Sequence, residues 1–214
     1  MSRILAASSP SLLERQLQHY DYRLVPGASW MQRAAVAAVL KPQPNDTELL
    51  FIRRSEHPGD PWSGHMAFPG GRKEPEDWDT RLTAERETWE ELGFHLSEEA
   101  RLNGRMSDIL ARAKGKPIPL VITPWIYSVE NEPALNPNYE VAEALWVPMS
   151  FFKDPRNRGH FDYKIGGMTL RLPCYHFEGR KIWGLTLKMV DELLDVEARA
   201  NSAAREAFRK NRWV

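Results

Sequence analysis

Apolar residues recur along this chain in two rhythms, one of period near 3.6 and one of alternation. Leu12, Leu13 and Leu17 fall at helical spacing behind Ser8-Ser9-Pro10-Ser11. That predicts a short helix within residues 8–19, with Ser9 as its N-cap and proline at the first helical position. The Ala- and Val-rich run Arg33–Leu40 and the run Glu48–Arg53, with Leu-Leu-Phe-Ile inside it, flank Pro42, Pro44 and Asn45. That is strand, turn and strand, a hairpin. Residues 55–76 hold Pro58, Pro61, Pro69 and Pro75 with Gly59, Gly64, Gly70 and Gly71. They predict a long loop with little regular structure, whose Trp62, Met66 and Phe68 favour order. A helix is expected from Thr80 to Leu92, stopping at Gly93, and a short one over Ser107–Ala113. Pro119–Val129 and Val141–Val147 read as strands, and Gly166-Gly167 as a hairpin turn leading into Met168–Leu172. The last element, Thr186–Lys210, is a long helix with Leu187, Val190, Leu194 and Ala198 along one side. Strands interrupted by helices imply a mixed α and β fold.

Composition narrows the classes. The 214 residues suit one domain, alone or with a terminal extension. Lys plus Arg and Asp plus Glu number 29 each, so a generic nucleic-acid binder, which needs a basic excess, is excluded. The longest apolar run, Ala34–Leu40, is far short of the roughly 20 residues that span a bilayer. The N-terminal stretch carries one positive charge and too short an apolar run for a secretory signal. The single cysteine, Cys174, allows neither an intramolecular disulfide nor a Cys-only zinc site. The expectation is a cytoplasmic enzyme or binding domain without a membrane partner.

Between Glu74 and Glu91 eight acids meet only two bases, Arg81 and Arg86. With Leu82 at zero, Trp89 falls near about 340° and Leu92 near about 280°, an apolar stripe expected to be buried. Glu90, Glu87 and Glu91 fall near about 80°, 140° and 180°, beside that stripe, with Arg86 near about 40° between it and the acids. Glu87 and Glu91 form a like-charged i, i+4 pair, unfavourable by a few tenths of a kcal/mol. A hard divalent cation would turn that repulsion into attraction.

Phe68-Pro69-Gly70-Gly71-Arg72 stands just before this helix, and Arg86-Glu87-Thr88-Trp89-Glu90-Glu91-Leu92-Gly93-Phe94 ends it. The two segments resemble the signature of the Nudix hydrolase superfamily. Asp77 stands where that signature has glutamate, and eight residues rather than seven separate it from Arg86. This longer box resembles the coenzyme A pyrophosphatase branch. Arg54, Ser55, Gly64 and Phe68-Pro69-Gly70-Gly71 also fit that branch's extra motif, as does Ile182-Trp183-Gly184-Leu185-Thr186 before the last helix. Phe51 replaces the branch's threonine, and Pro58, Gly59 and Asp60 stand where an arginine is expected.

The resemblance implies an α+β fold, a Nudix-like α/β/α sandwich with a mixed sheet and a loop–helix–loop catalytic motif. It covers roughly residues 32–195, leaving 1–31 as an N-terminal extension with a short helix and 196–214 as a C-terminal helical extension. It implies that Glu87, Glu90 and Glu91, with the backbone of Gly71, hold Mg²⁺ or Mn²⁺, and that Arg86 orients Glu87. The implied activity is hydrolysis of a diphosphate linkage in a nucleoside diphosphate derivative, with coenzyme A or an acyl-CoA preferred. Nucleotide sugars, ADP-ribose or dinucleotides are the alternative substrates, and a non-catalytic nucleotide-binding module is the alternative class. A carboxylate must take the proton of the attacking water. Glu90 is the first candidate, with Glu140 and Glu143, just before and within an expected strand, as the others. Arg53, Arg54, Arg72, His65 and Gly70 are the candidate substrate contacts, and Trp30, Trp62 and Trp125 could stack on a base. The final helix either pairs across a homodimer or covers its own domain.

Overall fold

The computed structural model describes residues 10–57, 62–111, 119–165 and 167–211, with side chains as far as residue 203. The expected N-cap Ser9, the run Pro58–Asp60 and Gly166 lie outside them. Helix α1 (Leu12–Gln18) begins instead at Ser11, whose hydroxyl accepts from Glu14 N while the Glu14 carboxylate takes the Ser11 N–H. That reciprocal pair is a capping box, which satisfies two donors where Pro10 satisfies none.

The expected hairpin is present as β1 (Gln32–Pro42) and β2 (Thr47–Arg54), but the two pair only at Leu40–Leu49, Lys41–Glu48 and Pro42–Thr47. Beyond that they fork, and the segment expected to be loop fills the fork with two short strands. β3 (Met66–Ala67) pairs with β2, and β4 (Gly70–Arg72) pairs with β1. Helix α2 (Thr80–Leu92) matches its expected bounds, and α3 (Leu96–Glu99) follows it. Strand β5 (Arg101–Arg105) comes next, and the stretch expected to be helical after Ser107 is β6 (Ile109–Ala111). Both pair antiparallel with β7 (Leu120–Ser128), so sheet pairing overrides the local helical pattern, while 112 and 113 lie outside the described residues.

β7 runs parallel to β1 over nine residue pairs, and β8 (Val141–Pro148) runs antiparallel to β2. The eight-stranded sheet is therefore mixed. A short helix α4 (Met149–Lys153) leads to a second, three-stranded antiparallel sheet of β9 (Arg158–Ile165), β10 (Met168–Phe177) and β11 (Arg180–Trp183). The chain ends in α5 (Gly184–Asn211). No described helix is long and apolar enough to cross a membrane.

Each face of the main sheet buries its own core. Ala35, Ala37, Val39, Leu50 and Ile52 meet Ala84 and Leu92 of α2 and Phe94. The opposite face, through Ala38, Leu40, Leu49, Phe51 and Val147, meets Leu13 and Leu17 of α1 and Leu187, Val190, Leu193 and Val196 of α5. The chain is thus an α+β sandwich with a mixed sheet, as the resemblance implied. On α5 the buried side turns toward Leu193, Val196 and Ala200, while Ala198 is exposed.

Candidate active site

The site forms where β4 is pressed between β1 and α2. Phe68 anchors this crossing, its ring buried 4.9 Å from that of Phe51, and the Pro69 carbonyl accepts from Ala37 N at 2.8 Å. Gly70 sits at φ +147°, and a Cβ there would lie 2.2 Å from the Ala35 carbonyl oxygen. At Gly71 a Cβ would lie 2.5 Å from the Glu87 carboxylate. Backbone of β1 thus holds Gly70 to glycine, whereas at Gly71 it is the end of the Glu87 side chain that a Cβ would displace. The Gly70 N–H uses that closeness to donate to Glu91 Oε2 at 2.9 Å.

Helix α2 opens with Asp79 accepting from Leu82 N at 2.9 Å and closes on Gly93 at φ +66°. Its buried face is not the expected Leu82–Trp89 stripe. It is Thr80, Thr83, Ala84, Thr88, Glu91 and Leu92, while Trp89 is exposed and stacks on His95 at 5.4 Å. The helix lies on the Ala35 and Ala37 surface of β1, where small residues allow close approach. Thr88 suits that face because its hydroxyl donates back to the Ala84 carbonyl at 2.7 Å. The same rotation turns Glu91 inward, to 3% exposure.

Arg86 is the hub of the acidic cluster. Its Nε and Nη2 bond Asp77, its Nη2 also donates to the Arg72 carbonyl at 2.9 Å, and its charge lies 3.2 Å from Glu87 Oε1 and 3.1 Å from Glu90 Oε2. Burial raises Asp77, but the Arg86 and Glu74 N–H bonds outweigh it and hold its pKa below the ordinary carboxylate value. Burial also lifts Glu87 above its ordinary value, with Arg86 opposing and Glu90 and Glu140 adding to the rise. Glu91 is driven by burial up to about 8, against the Gly70 N–H and the Arg54 charge, with Glu87 and Glu140 adding to it.

Two of these carboxyls are thus held at a cost to their charged form. Among the described residues no three acidic, imidazole or thiol groups are arranged as they stand to hold a metal ion. Glutamate oxygens are nonetheless the donor type of a hard divalent cation, which completes its shell with water and phosphate oxygens. Such a cation would offset both the burial and the like-charge crowding that raise Glu87 and Glu91.

Glu140 is brought in by a loop that caps α2. The last carbonyls of a helix lack partners within it. Here Asn138 Nδ2 bonds the Glu90 carbonyl at 2.9 Å, Asn138 N that of Glu91 at 2.9 Å, and Asn136 N that of Leu92 at 2.7 Å. The Asn138 side-chain oxygen then accepts from Glu140 N at 2.8 Å, and Ser55 N bonds the Glu140 carbonyl at 2.7 Å. This capping role of Asn136-Pro137-Asn138 was hidden in the sequence, because it joins segments more than 40 residues apart.

A cavity of about 700 Å³ opens beside these groups. Glu87, Glu90, Glu91, Glu140, Arg54, Arg72, Arg86, His65, Gly70 and Gly71 all line it. Arg53 and Glu143 do not. Neighbours on β2 point to opposite faces, so Arg54 lies 3.7 Å from Glu91 while Arg53 lies 3.5 Å from Glu143, where the β2–β8 register also shifts. Glu143 is gripped by Arg180, whose Nε donates to Oε2 at 2.7 Å, and that bond holds its pKa below the ordinary value. Trp62 lines the cavity, Trp30 is 90% exposed and does not, and Trp125 is tied by its Nε1 to Thr80 Oγ1 at 3.2 Å. Tyr163 and Ile165 of β9, unremarked in the sequence, also reach the cavity, and so do Trp183 and Leu185. A β-hairpin folding back over a loop 100 residues earlier leaves no local signal.

The pattern of the NUDIX domain matches residues 31–165. The chain belongs to the Nudix family. It is 31% identical over 183 residues to the human protein named Mitochondrial coenzyme A diphosphatase NUDT8, covering 82% of this chain and 76% of that one. The mouse protein of the same name is 30% identical over 171 residues, 78% of this chain and 80% of the relative. The crystal structure of a MutT/nudix family protein from Enterococcus faecalis superposes with a TM-score of 0.50 over 89% of this chain and 76% of that one, at 14% identity. That likeness concerns the fold alone. The chain is a Nudix pyrophosphohydrolase, a class whose members generally use divalent metal ions. The matched range includes the β4–α2 crossing with Asp77, Arg86, Glu87, Glu90 and Glu91.

Proposed function

We propose that this Nudix enzyme hydrolyses the diphosphate linkage of coenzyme A or an acyl-CoA, releasing 3′,5′-ADP and 4′-phosphopantetheine or its acylated form. The observation that carries this reading is one cavity lined both by charged groups, Glu87, Glu90, Glu91, Glu140, Arg54, Arg72 and Arg86, and by apolar side chains, Trp62, Leu120, Ile122, Trp183 and Leu185. The names of the human and mouse relatives support coenzyme A as the diphosphate.

A divalent cation, Mg²⁺ or Mn²⁺, held by Glu87, Glu90 and Glu91 beside the Gly71 backbone, would neutralise phosphate oxygens and make water a better nucleophile. Arg86 keeps Glu87 and Glu90 in place and is itself fixed by Asp77. Arg54 and Arg72 meet the diphosphate oxygens from the cavity wall. Glu140 takes the proton from the attacking water, since Glu90 is engaged by Arg86 while Glu140 faces the same cavity from a loop fixed by Asn138. Glu143 acts outside the cavity, holding β11 through Arg180.

Product analysis with coenzyme A, ADP-ribose and a nucleotide sugar side by side, with Mg²⁺ and with chelator, tests the reading. The expected result is cation-dependent formation of 3′,5′-ADP faster than either other cleavage. Faster cleavage of another diphosphate refutes coenzyme A as the substrate.

A further inference from the structure

The Nudix pattern leaves part of the cavity lining outside it. The glutamates and arginines, and also Trp62, Leu120, Ile122 and Tyr163, fall within residues 31–165, whereas Trp183, Leu185 and Met189 lie beyond it. Trp183 is the centre of that part. Its ring meets His65 edge-on at 4.9 Å, Phe161 edge-on at 5.0 Å and Tyr163 at 5.2 Å. Lys181 Nζ sits 3.8 Å from the centroid of Phe161 and braces the ring behind the indole. An indole held by three rings is pre-set in one orientation.

The strand that carries it is anchored as well. Arg180 begins β11 and grips Glu143 of β8, which also pairs with Arg53 of β2. Beside the indole the wall becomes aliphatic, where Ala34, Leu120 and Ile122 form a buried cluster with Val36, Trp62 and Leu185 packed on it. The nearby hydroxyl of Thr186 is already spent on the Met66 carbonyl at 3.0 Å.

Building on the coenzyme A reading, we propose that Trp183 is the specificity-determining residue of this enzyme. Its indole, continuous with Leu185, Leu120 and Ile122, is the surface on which the apolar acyl arm of a thioester packs. An aliphatic chain gives up no hydrogen bonds on entering such a wall. The hydroxyls of a sugar arm would lose their water there without replacement.

Steady-state kinetics of the full chain in Mg²⁺ tests this, with hexanoyl-CoA, free coenzyme A and ADP-ribose as substrates and Trp183→Ala and Trp183→Phe as variants. The wild type is expected to show a lower KM for hexanoyl-CoA than for free coenzyme A. Trp183→Ala should raise the hexanoyl-CoA KM roughly tenfold or more, with a smaller change for free coenzyme A and a far smaller change in kcat. Trp183→Phe, which keeps a ring on the wall, should recover most of the loss. Equal KM in wild type and Trp183→Ala overturns the proposal. So does a fall in kcat on every substrate that Trp183→Phe does not recover, because the indole would then be structural. Cleavage of ADP-ribose with neither coenzyme A species cleaved overturns the substrate reading and the apolar arm together. Coenzyme A cleavage without any thioester preference overturns the Trp183 surface alone.

Discussion

Arg86 and Asp77, nine residues apart, form a two-pronged ion pair, with Nε 3.2 Å from Oδ1 and Nη2 3.0 Å from Oδ2. Asp77→Asn keeps the volume and removes the charge, so Arg86 loses its anchor and Glu87 and Glu90 lose their shared support. Turnover is expected to fall on the order of 10- to 100-fold. Circular dichroism should stay native, because the cap of α2 is Asp79 and not Asp77.

The two adjacent glycines should fail in different ways. An alanine at Gly70 meets backbone, the Ala35 carbonyl at 2.2 Å, from a positive φ. Gly70→Ala should therefore lower thermal stability, by at least the roughly 1–3 kcal/mol of such backbone strain. An alanine at Gly71 meets only the end of the Glu87 side chain. Gly71→Ala should keep most of its melting temperature but bind Mg²⁺ more weakly, as calorimetric titration would detect.

Glu90 and Glu140 separate by what they lose. Glu140→Gln is expected to lose most of the turnover while retaining Mg²⁺ affinity, because only the proton acceptor is removed. Glu90→Gln should weaken Mg²⁺ binding, and raised Mg²⁺ should restore part of its rate. The reverse pattern would return the base to Glu90.

Glu14 links acid stability to α1. Burial pushes its pKa up, yet bonds from Ser128, the Ser11 N–H and Arg101 outweigh that and hold it below its ordinary value of 4.5. The unfolded chain therefore binds the proton more readily than the folded one. The stabilisation is fully present above a pH of about 4.5 and is lost as the pH falls through the lower folded value. Melting temperatures recorded across this acid range should fall less steeply in Glu14→Gln than in the wild type.

What could be read locally was read. The bounds of α2 follow from Asp79 and Gly93 and from a run free of breakers, and Phe68-Pro69-Gly70-Gly71 with the three box glutamates marked the acidic lining of the cavity. Long-range pairing hid the rest. Ile109–Ala111 is a strand only because β7 offers an edge. Trp89 is exposed because β1 presents alanines that prefer the threonine side of α2. The register shift opposite Arg53 and Arg54, which skips Ala142 of β8, has no local signal either.

The capping of α2 by the Asn136–Asn138 loop has a consequence for motion. Helix α2 and the loop that carries Glu140 share their terminal hydrogen bonds, so neither frays without releasing the other. They form one opening unit, and the amides of Asn136 and Asn138 should exchange with solvent at the pace of the last turn of α2. On the proposed roles, the cation ligands and the proton acceptor would be released together rather than one by one.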